Sequence, residues 1–122
     1  MGVLDYGDRI RAGGLWLLNG PGNDIVACTN LAAAGCTLIL FTTGRGTPLG
    51  SPVPTVKIAS NAALAEKKAR WIDFDASPAL DGDPALDERF RRTVLDIVSG
   101  KEAKNERNGC REIAIFKDGV TL

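Results

Sequence analysis

The chain has 122 residues, 44% of them hydrophobic, and its 15 basic and 15 acidic residues cancel to a formal net charge of zero. That length and apolar content suit one compact domain, and the balanced charge leaves no long-range field to hold DNA or RNA. Histidine is absent, so the commonest general base and transition-metal ligand is missing and proton chemistry falls to Lys, Asp, Glu, Tyr or Cys, or to a group from another domain.

Residues 1–13 mix charge with glycine and are expected to be an extended lead-in from an upstream domain, with 14–122 forming a single α/β domain. The apolar run Leu15-Trp16-Leu17-Leu18 stops at Asn19-Gly20-Pro21-Gly22, as a buried strand entering a sharp turn would. Asn23 or Asp24 then caps a helix carrying Ile25, Cys28, Leu31 and Ala32 at helical spacing, and Gly35 supplies its stop. A second strand is expected at Thr37–Phe41, β-rich and too short for a helix, and with the first it predicts a parallel βαβ unit. Three glycines and three prolines between 42 and 54 forbid regular structure there, and loops this long in small domains are usually functional.

Alternation predicts a third strand at Thr55–Ala59, and Asn61 caps a second helix through Ala62, Leu64, Ala65 and Lys68. A short fourth strand is expected near Ile72-Asp73-Phe74. Asp83-Pro84 opens a third helix whose stripe of Leu86, Phe90, Val94 and Ile97 runs to Gly100. Lys101–Gly109 reads as a polar, mobile connection before a last strand at 112–116. The expected fold is α/β: an αβα layered, mostly parallel sheet, Rossmann-like, with about five strands and three helices.

No stretch approaches the ~20 apolar residues of a membrane-spanning helix, and the first residues lack the apolar block of a signal peptide, which predicts a cytoplasmic protein without a membrane partner. Cys28, Cys36 and Cys110 are an odd number without CxxC spacing and are expected as reduced, mostly buried thiols. Trp16 and Trp71 read as core aromatics, and Asp73, Asp75, Asp81 and Asp83 as a solvated acidic turn whose spacing does not match an EF-hand.

In open parallel sheets, ligands collect outside the carboxyl ends of the strands. Those ends carry Asn19–Asn23, the run Thr42-Thr43-Gly44-Arg45-Gly46, and Ser60-Asn61. Glycine amides, a helix N-terminus and the planar fork of Arg45 together describe a site for a small polar acid. On residue types alone the glycines serve equally well as turn formers, Arg45 as a solvated cation, and Thr42 and Thr43 as strand closers. Lys57, in mid-strand, reads first as an edge-strand lysine facing water. The run Gly44-x-Gly46-x-x-x-Gly50 leads into Ser-Pro-Val-Pro instead of a helix and does not fit a dinucleotide fingerprint.

The stretch FTTGRGTPLGSPVPTVKIASN, residues 41–61, resembles the most distinctive block of the altronate/galactarate dehydratase family, an FTTGRG-like loop followed by a G-x-P-x-x-P-like turn and a strand lysine. GLWLLNGPGND (14–24), LAAAG (31–35), LDGD (80–83) and IVSGKEAKNE (97–106) also resemble family segments. The resemblance places the chain at the C-terminal end of longer enzymes that carry a small N-terminal domain and a central domain, so by itself it is not expected to be a complete enzyme.

The activity implied is loss of water from an aldonic or aldaric acid to give a 2-keto-3-deoxy sugar acid. Such a reaction needs a base for the proton alpha to the carboxylate and a cationic group to hold the enediolate. By the same resemblance, Arg45 with the Gly44 and Gly46 amides suits carboxylate recognition. Lys57 becomes a candidate catalytic charge stabiliser, and Thr42, Thr43 and Asn61 become hydroxyl partners. The family implies iron or another divalent metal, with ligands outside this domain; its partners would be the missing domains and further copies in a homo-oligomer. Alternatives are a sulfolactate sulfo-lyase-like domain, a non-catalytic ligand-binding or oligomerisation module, and a nucleotide-binding regulatory domain.

Overall fold

The computed structural model describes residues 1–114. These residues form five strands, β1 (Gly2–Leu4), β2 (Trp16–Leu18), β3 (Ile39–Thr43), β4 (Thr55–Ala59) and β5 (Phe74–Asp75), and four α-helices, α1 (Asp24–Ala34), α2 (Ala62–Lys67), α3 (Leu86–Val98) and α4 (Lys104–Arg107), with a 3-10 turn at Ser77–Asp81; the order is β1-β2-α1-β3-β4-α2-β5, then the turn, α3 and α4. The class is the expected one, mixed α/β with parallel pairing, but the strands form two small sheets: β1-β2 and β3-β4-β5, both parallel throughout.

β4 lies at the centre of the larger sheet and is buried along its whole length. Its two faces meet different layers. Val56 and Ile58 pack with Ile97 and Ala103, against Phe74 and Phe90, whose rings sit 5.1 Å apart. On the opposite face, Ala59 joins Leu64 and Ile72, while the neighbouring β3 puts Ile39 against Cys28 and Leu49. Helices therefore cover both sides, and β4 is buried on both faces although its sequence, Thr-Val-Lys-Ile-Ala, alternates as a half-buried strand would.

Several expectations are corrected in detail. Leu15–Leu18 and Thr37–Phe41 do not pair as a βαβ unit: β2 takes its hydrogen bonds from β1, in register Gly2↔Trp16, Val3↔Leu17 and Leu4↔Leu18. The βαβ unit of this chain is β4-α2-β5 instead. The third helix begins at Leu86, because Asp83 uses Oδ1 to accept from the Ala85 amide and Oδ2 to bind Arg89 at 2.8 Å. Lys101–Gly109 is not a loose connection, since it contains α4 with Asn105 fully buried. Asn105 Oδ1 accepts from the Thr55 amide at 3.0 Å, and its Nδ2 donates to the Cys110 carbonyl at 3.2 Å, tying α4 to the start of β4. Of the expected last strand, residues 115 and 116 lie outside the described residues, and 112–114 are not in a strand.

Both tryptophans are half-buried instead of core residues. All three cysteines are free thiols, and only Cys28 is buried. Parts of 1–13 are anchored: the Gly7 amide donates to Asn30 Oδ1 at 3.0 Å and the Ile10 amide to the Ala34 carbonyl at 2.8 Å. Among the described residues no helix is long and apolar enough to cross a membrane.

Candidate functional site

The parallel register Thr42↔Ile58 and Thr43↔Ala59 brings the carboxyl ends of β3 and β4 side by side. Thr42, Thr43, Gly44, Arg45, Gly46 and Asn61 thus gather at one sheet edge, with α2 starting directly behind. The sequence places each for a local reason. Asn61, in extended conformation, accepts from the Leu64 amide at 2.9 Å and so starts α2. Its Nδ2 donates to the Gly44 carbonyl at 3.1 Å, fastening the loop to the helix. Asn61→Ala is therefore expected to cost about 1 kcal/mol of stability from the cap alone, measured by chemical unfolding; an unchanged midpoint would remove the cap from this account.

The Thr43 hydroxyl accepts from the Gly46 amide at 2.9 Å. Gly46 sits at φ +75°, a conformation that strains any other residue, and a Cβ there would also meet the Leu64 Cδ1 tip at 2.7 Å, so the backbone conformation is what favours glycine. Lys68, just beyond α2, donates from Nζ to the Arg45 carbonyl at 2.9 Å and the Gly46 carbonyl at 3.3 Å, and lies 5.2 Å from the Trp71 ring centroid. Arg45 itself is exposed, and its guanidinium makes no hydrogen bond or ion pair among the described residues. Thr42 is likewise exposed without a side-chain bond. Asn19–Asn23 follows β2 in the other sheet, and its groups serve locally: Asn23 caps α1 through the Val26 amide, and the Asn19 carbonyl accepts from Asn30.

Lys57 is where the residue-type reading fails outright. It is not an edge lysine facing water: on the central strand it is 1% exposed. Its Nζ donates to the Thr47 carbonyl at 2.8 Å, so the ammonium is held under the loop that follows the FTTGRG run. Burial pushes the Lys57 ammonium below its ordinary value, against the raising influence of Cys110, Asp73, Glu112 and Cys28. Burial also raises the nearby Cys28 thiol, with Asp24 adding to the rise and Lys57 opposing it.

Asp73 does not belong to a solvated turn either. One carboxylate oxygen accepts from the Lys57 amide at 2.9 Å and the other from the Lys104 amide at 2.8 Å, clamping β4 to α4. Ser51, Thr55 and Asn105 complete a buried polar floor, with the Ser51 and Thr55 hydroxyls 2.9 Å apart. Glu112 Oε2 accepts from the Gly50 amide at 3.0 Å.

Sequence reasoning did not single out Lys68, Thr47, Asp73, Lys104 or Asn105 for these tasks. Only Asp73, directly before the fourth apolar run, carried a positional signal; the bonds of the others run to backbone groups, which no residue pattern encodes. Among the described residues no group of three or more Cys, Asp and Glu side chains could hold a metal ion. The described residues therefore offer no donor set that fits a divalent metal.

The family model for D-galactarate/altronate dehydratase, C-terminal, matches residues 1–121. The chain belongs to this family. It is 57% identical over 122 residues to an altronate dehydratase of Escherichia coli (strain K12), covering 98% of this chain and 25% of that protein. Identity to an altronate dehydratase of Bacillus subtilis (strain 168) is 48% over 123 residues, again 98% of this chain and 25% of the relative. A galactarate dehydratase (L-threo-forming) of Escherichia coli (strain K12) is 36% identical over 104 residues, 82% of this chain and 20% of the relative. The chain thus spans about a quarter of the length of the altronate dehydratases it matches.

Proposed function

We propose that this chain supplies the carboxylate-binding part of a hydro-lyase acting on an aldonic or aldaric acid, of the altronate or galactarate type. The observation that carries the reading is Arg45. Its backbone stands on a loop fastened by Thr43, Asn61 and Lys68, while its guanidinium has no partner among the described residues. A fixed backbone presenting an unpaired planar fork is pre-organised for a carboxylate, which accepts two parallel hydrogen bonds from it. Thr42 and the Gly44 amide, on the same edge, are placed for the hydroxyls that follow along a sugar acid.

In the proposed reaction a base removes the proton alpha to the carboxylate, leaving an enediolate. The beta hydroxyl then departs with a proton as water, and the resulting enol becomes the 2-keto-3-deoxy acid. As the alpha proton leaves, negative charge builds on the carboxylate held by Arg45, so that contact strengthens toward the transition state. Lys57 is 1% exposed and bound to the Thr47 carbonyl, and it contributes by holding the loop and its charge in place from beneath. The base, any divalent metal, and the remaining substrate contacts belong in this reading to the other domains of a longer protein or to further copies of it.

The test is a graft in which this chain replaces the corresponding quarter of the Escherichia coli altronate dehydratase, with altronate turnover followed through the keto product. Arg45→Ala is expected to lower kcat/KM by roughly 10- to 100-fold, the worth of a charged hydrogen-bonded pair, and Arg45→Lys to recover only part of it because a point charge lacks the fork. Full turnover by Arg45→Ala would leave the chain as a structural or oligomerisation module.

A further inference from the structure

A cleft of about 270 Å³ opens beside the loop, lined by Lys67, Lys68, Arg70 and Trp71. We propose that it is a separate binding site for a small organic dianion, a polyhydroxy dicarboxylate or a phosphate ester, whose apolar face lies on the Trp71 indole. The proposal stands independently of Arg45 and of the reaction above.

Charge is the first reason. Three of the four lining residues are cationic, and none of the three forms an ion pair with a carboxylate among the described residues. The second reason is that neighbouring backbone acceptors are already in use. The Ala69 and Ile72 carbonyls accept from Lys104 Nζ, the Arg70 carbonyl accepts from Asn108 Nδ2 at 3.0 Å, and the Lys68 carbonyl accepts from the Trp71 and Ile72 amides. These bonds fix the 68–72 turn from behind and leave those carbonyls committed elsewhere, so among the described residues Lys67 and Arg70 have no acceptor competing with an incoming anion, while Lys68 already serves the Arg45 and Gly46 carbonyls. The third reason is shape. An indole wall with cations around it gives a ligand apolar contact and charge together, the combination that small-molecule sites use.

Lys68 joins this cleft to the loop. The ammonium that faces Trp71 is the one that holds the Arg45 and Gly46 carbonyls. A dianion that draws on Lys68 must therefore be felt at the FTTGRG loop, so the cleft couples occupancy to the placement of Arg45.

Lysine acetylation of the full chain, read by mass spectrometry, tests this. The ligands are galactarate and glycerol 3-phosphate, each against sodium chloride at matched ionic strength, with exposed Lys101 as internal reference. One or both ligands are expected to protect Lys67 and Lys68 saturably, with Lys101 unchanged. Protection by galactarate alone identifies a dicarboxylate site, and protection by glycerol 3-phosphate alone a phosphate-ester site. Arg70→Gln, which leaves the backbone bond to Asn108 in place, is expected to raise the half-protecting concentration at least about tenfold, whereas Arg45→Ala leaves it unchanged. Protection that merely follows ionic strength, that is absent with both ligands, that survives Arg70→Gln at the same concentration, or that disappears in Arg45→Ala would overturn the site.

Discussion

Lys57→Met in the grafted dehydratase is expected to lower kcat by roughly 100-fold, the scale of a small misplacement of reacting groups, while moving KM little and keeping the unfolding free energy within ~1–2 kcal/mol. Methionine keeps an unbranched stem in the buried slot and removes a desolvated charge; the opposing loss is the donor for the Thr47 carbonyl. Lys57→Ala is expected to cost about 2–5 kcal/mol as well, because truncation empties a slot at the centre of the sheet. A Lys57→Met enzyme with unaltered kcat would end the role assigned to this residue.

The same pair of proteins carries a pH signature. The folded-state pKa of Lys57 lies below the unfolded one, so folded protein binds fewer protons than unfolded protein in the window between them. Stability of the wild type relative to Lys57→Met should therefore rise with pH, beginning at the lowered folded value and levelling off near ~10.4, the ordinary lysine value. Cys28 acts in the opposite sense, since its raised pKa gives stability that is lost as pH climbs above the ordinary thiol range. Chemical unfolding of both proteins at each pH reads the lysine together with its coupling to Cys28: losing Lys57 lets the Cys28 thiol rise further, which costs the variant stability at high pH and so adds to the difference in the same direction. A difference that is flat or falls with pH would contradict a desolvated ammonium.

Gly50→Ala is expected to be the most damaging single methyl group that can be added to this chain. A Cβ at Gly50 would lie 2.0 Å from the Cys110 carbonyl oxygen and 2.8 Å from Asn105 Cβ. Neither neighbour is a flexible side-chain tip, so the backbone of the 105–110 segment would have to move, at a cost of about 3 kcal/mol or more. The movement would also disturb the Asn105 bond to the Thr55 amide and the Glu112 bond to the Gly50 amide. Thermal unfolding should show a loss of about 10 °C or more. Gly22→Ala is the control: a Cβ there meets nothing within 4 Å, and its effect should stay under ~1 kcal/mol. Equal midpoints for the two variants would mean that the contact between Gly50 and Cys110 is not as drawn.

The helices and strands with strong local signals were legible in the sequence. Asn23 and Asn61 cap α1 and α2 as their side-chain chemistry suggests, and Thr55–Ala59 is a strand with the predicted bounds. What failed was information carried by layers far apart in the chain. Lys57 looked like a surface lysine because its own strand contains nothing to contradict that; its burial comes from the layer holding Cys28 and Leu49 and from the loop at Thr47. β1 escaped notice because three residues carry too little periodicity to register, and its pairing depends on β2. α4 escaped because a single turn of KNER has no apolar stripe, and its worth lies in one buried side chain, Asn105. Within the candidate site, the grouping of Thr43, Gly44, Gly46 and Asn61 was readable from the order of strands and loops. Lys68 was not, because it satisfies two carbonyls that any residue could have supplied.

The polar floor beneath the loop has a consequence for how the chain is born. Its closing contacts span long stretches: Asn105 to Thr55, Glu112 to Gly50, and the Ala114 amide to the Thr29 hydroxyl, separated by 50, 62 and 85 residues. During synthesis at ~5–20 residues per second, the β3–β4 pair emerges roughly 2–10 s before Asn105 follows. For that interval Thr55 lacks its amide acceptor and the Val56–Ile58 face lacks Ile97 and Ala103, so a nascent sheet with one apolar side waits for its cover. Long-range closure of this kind slows folding, and the interval is one in which a chaperone has something to hold.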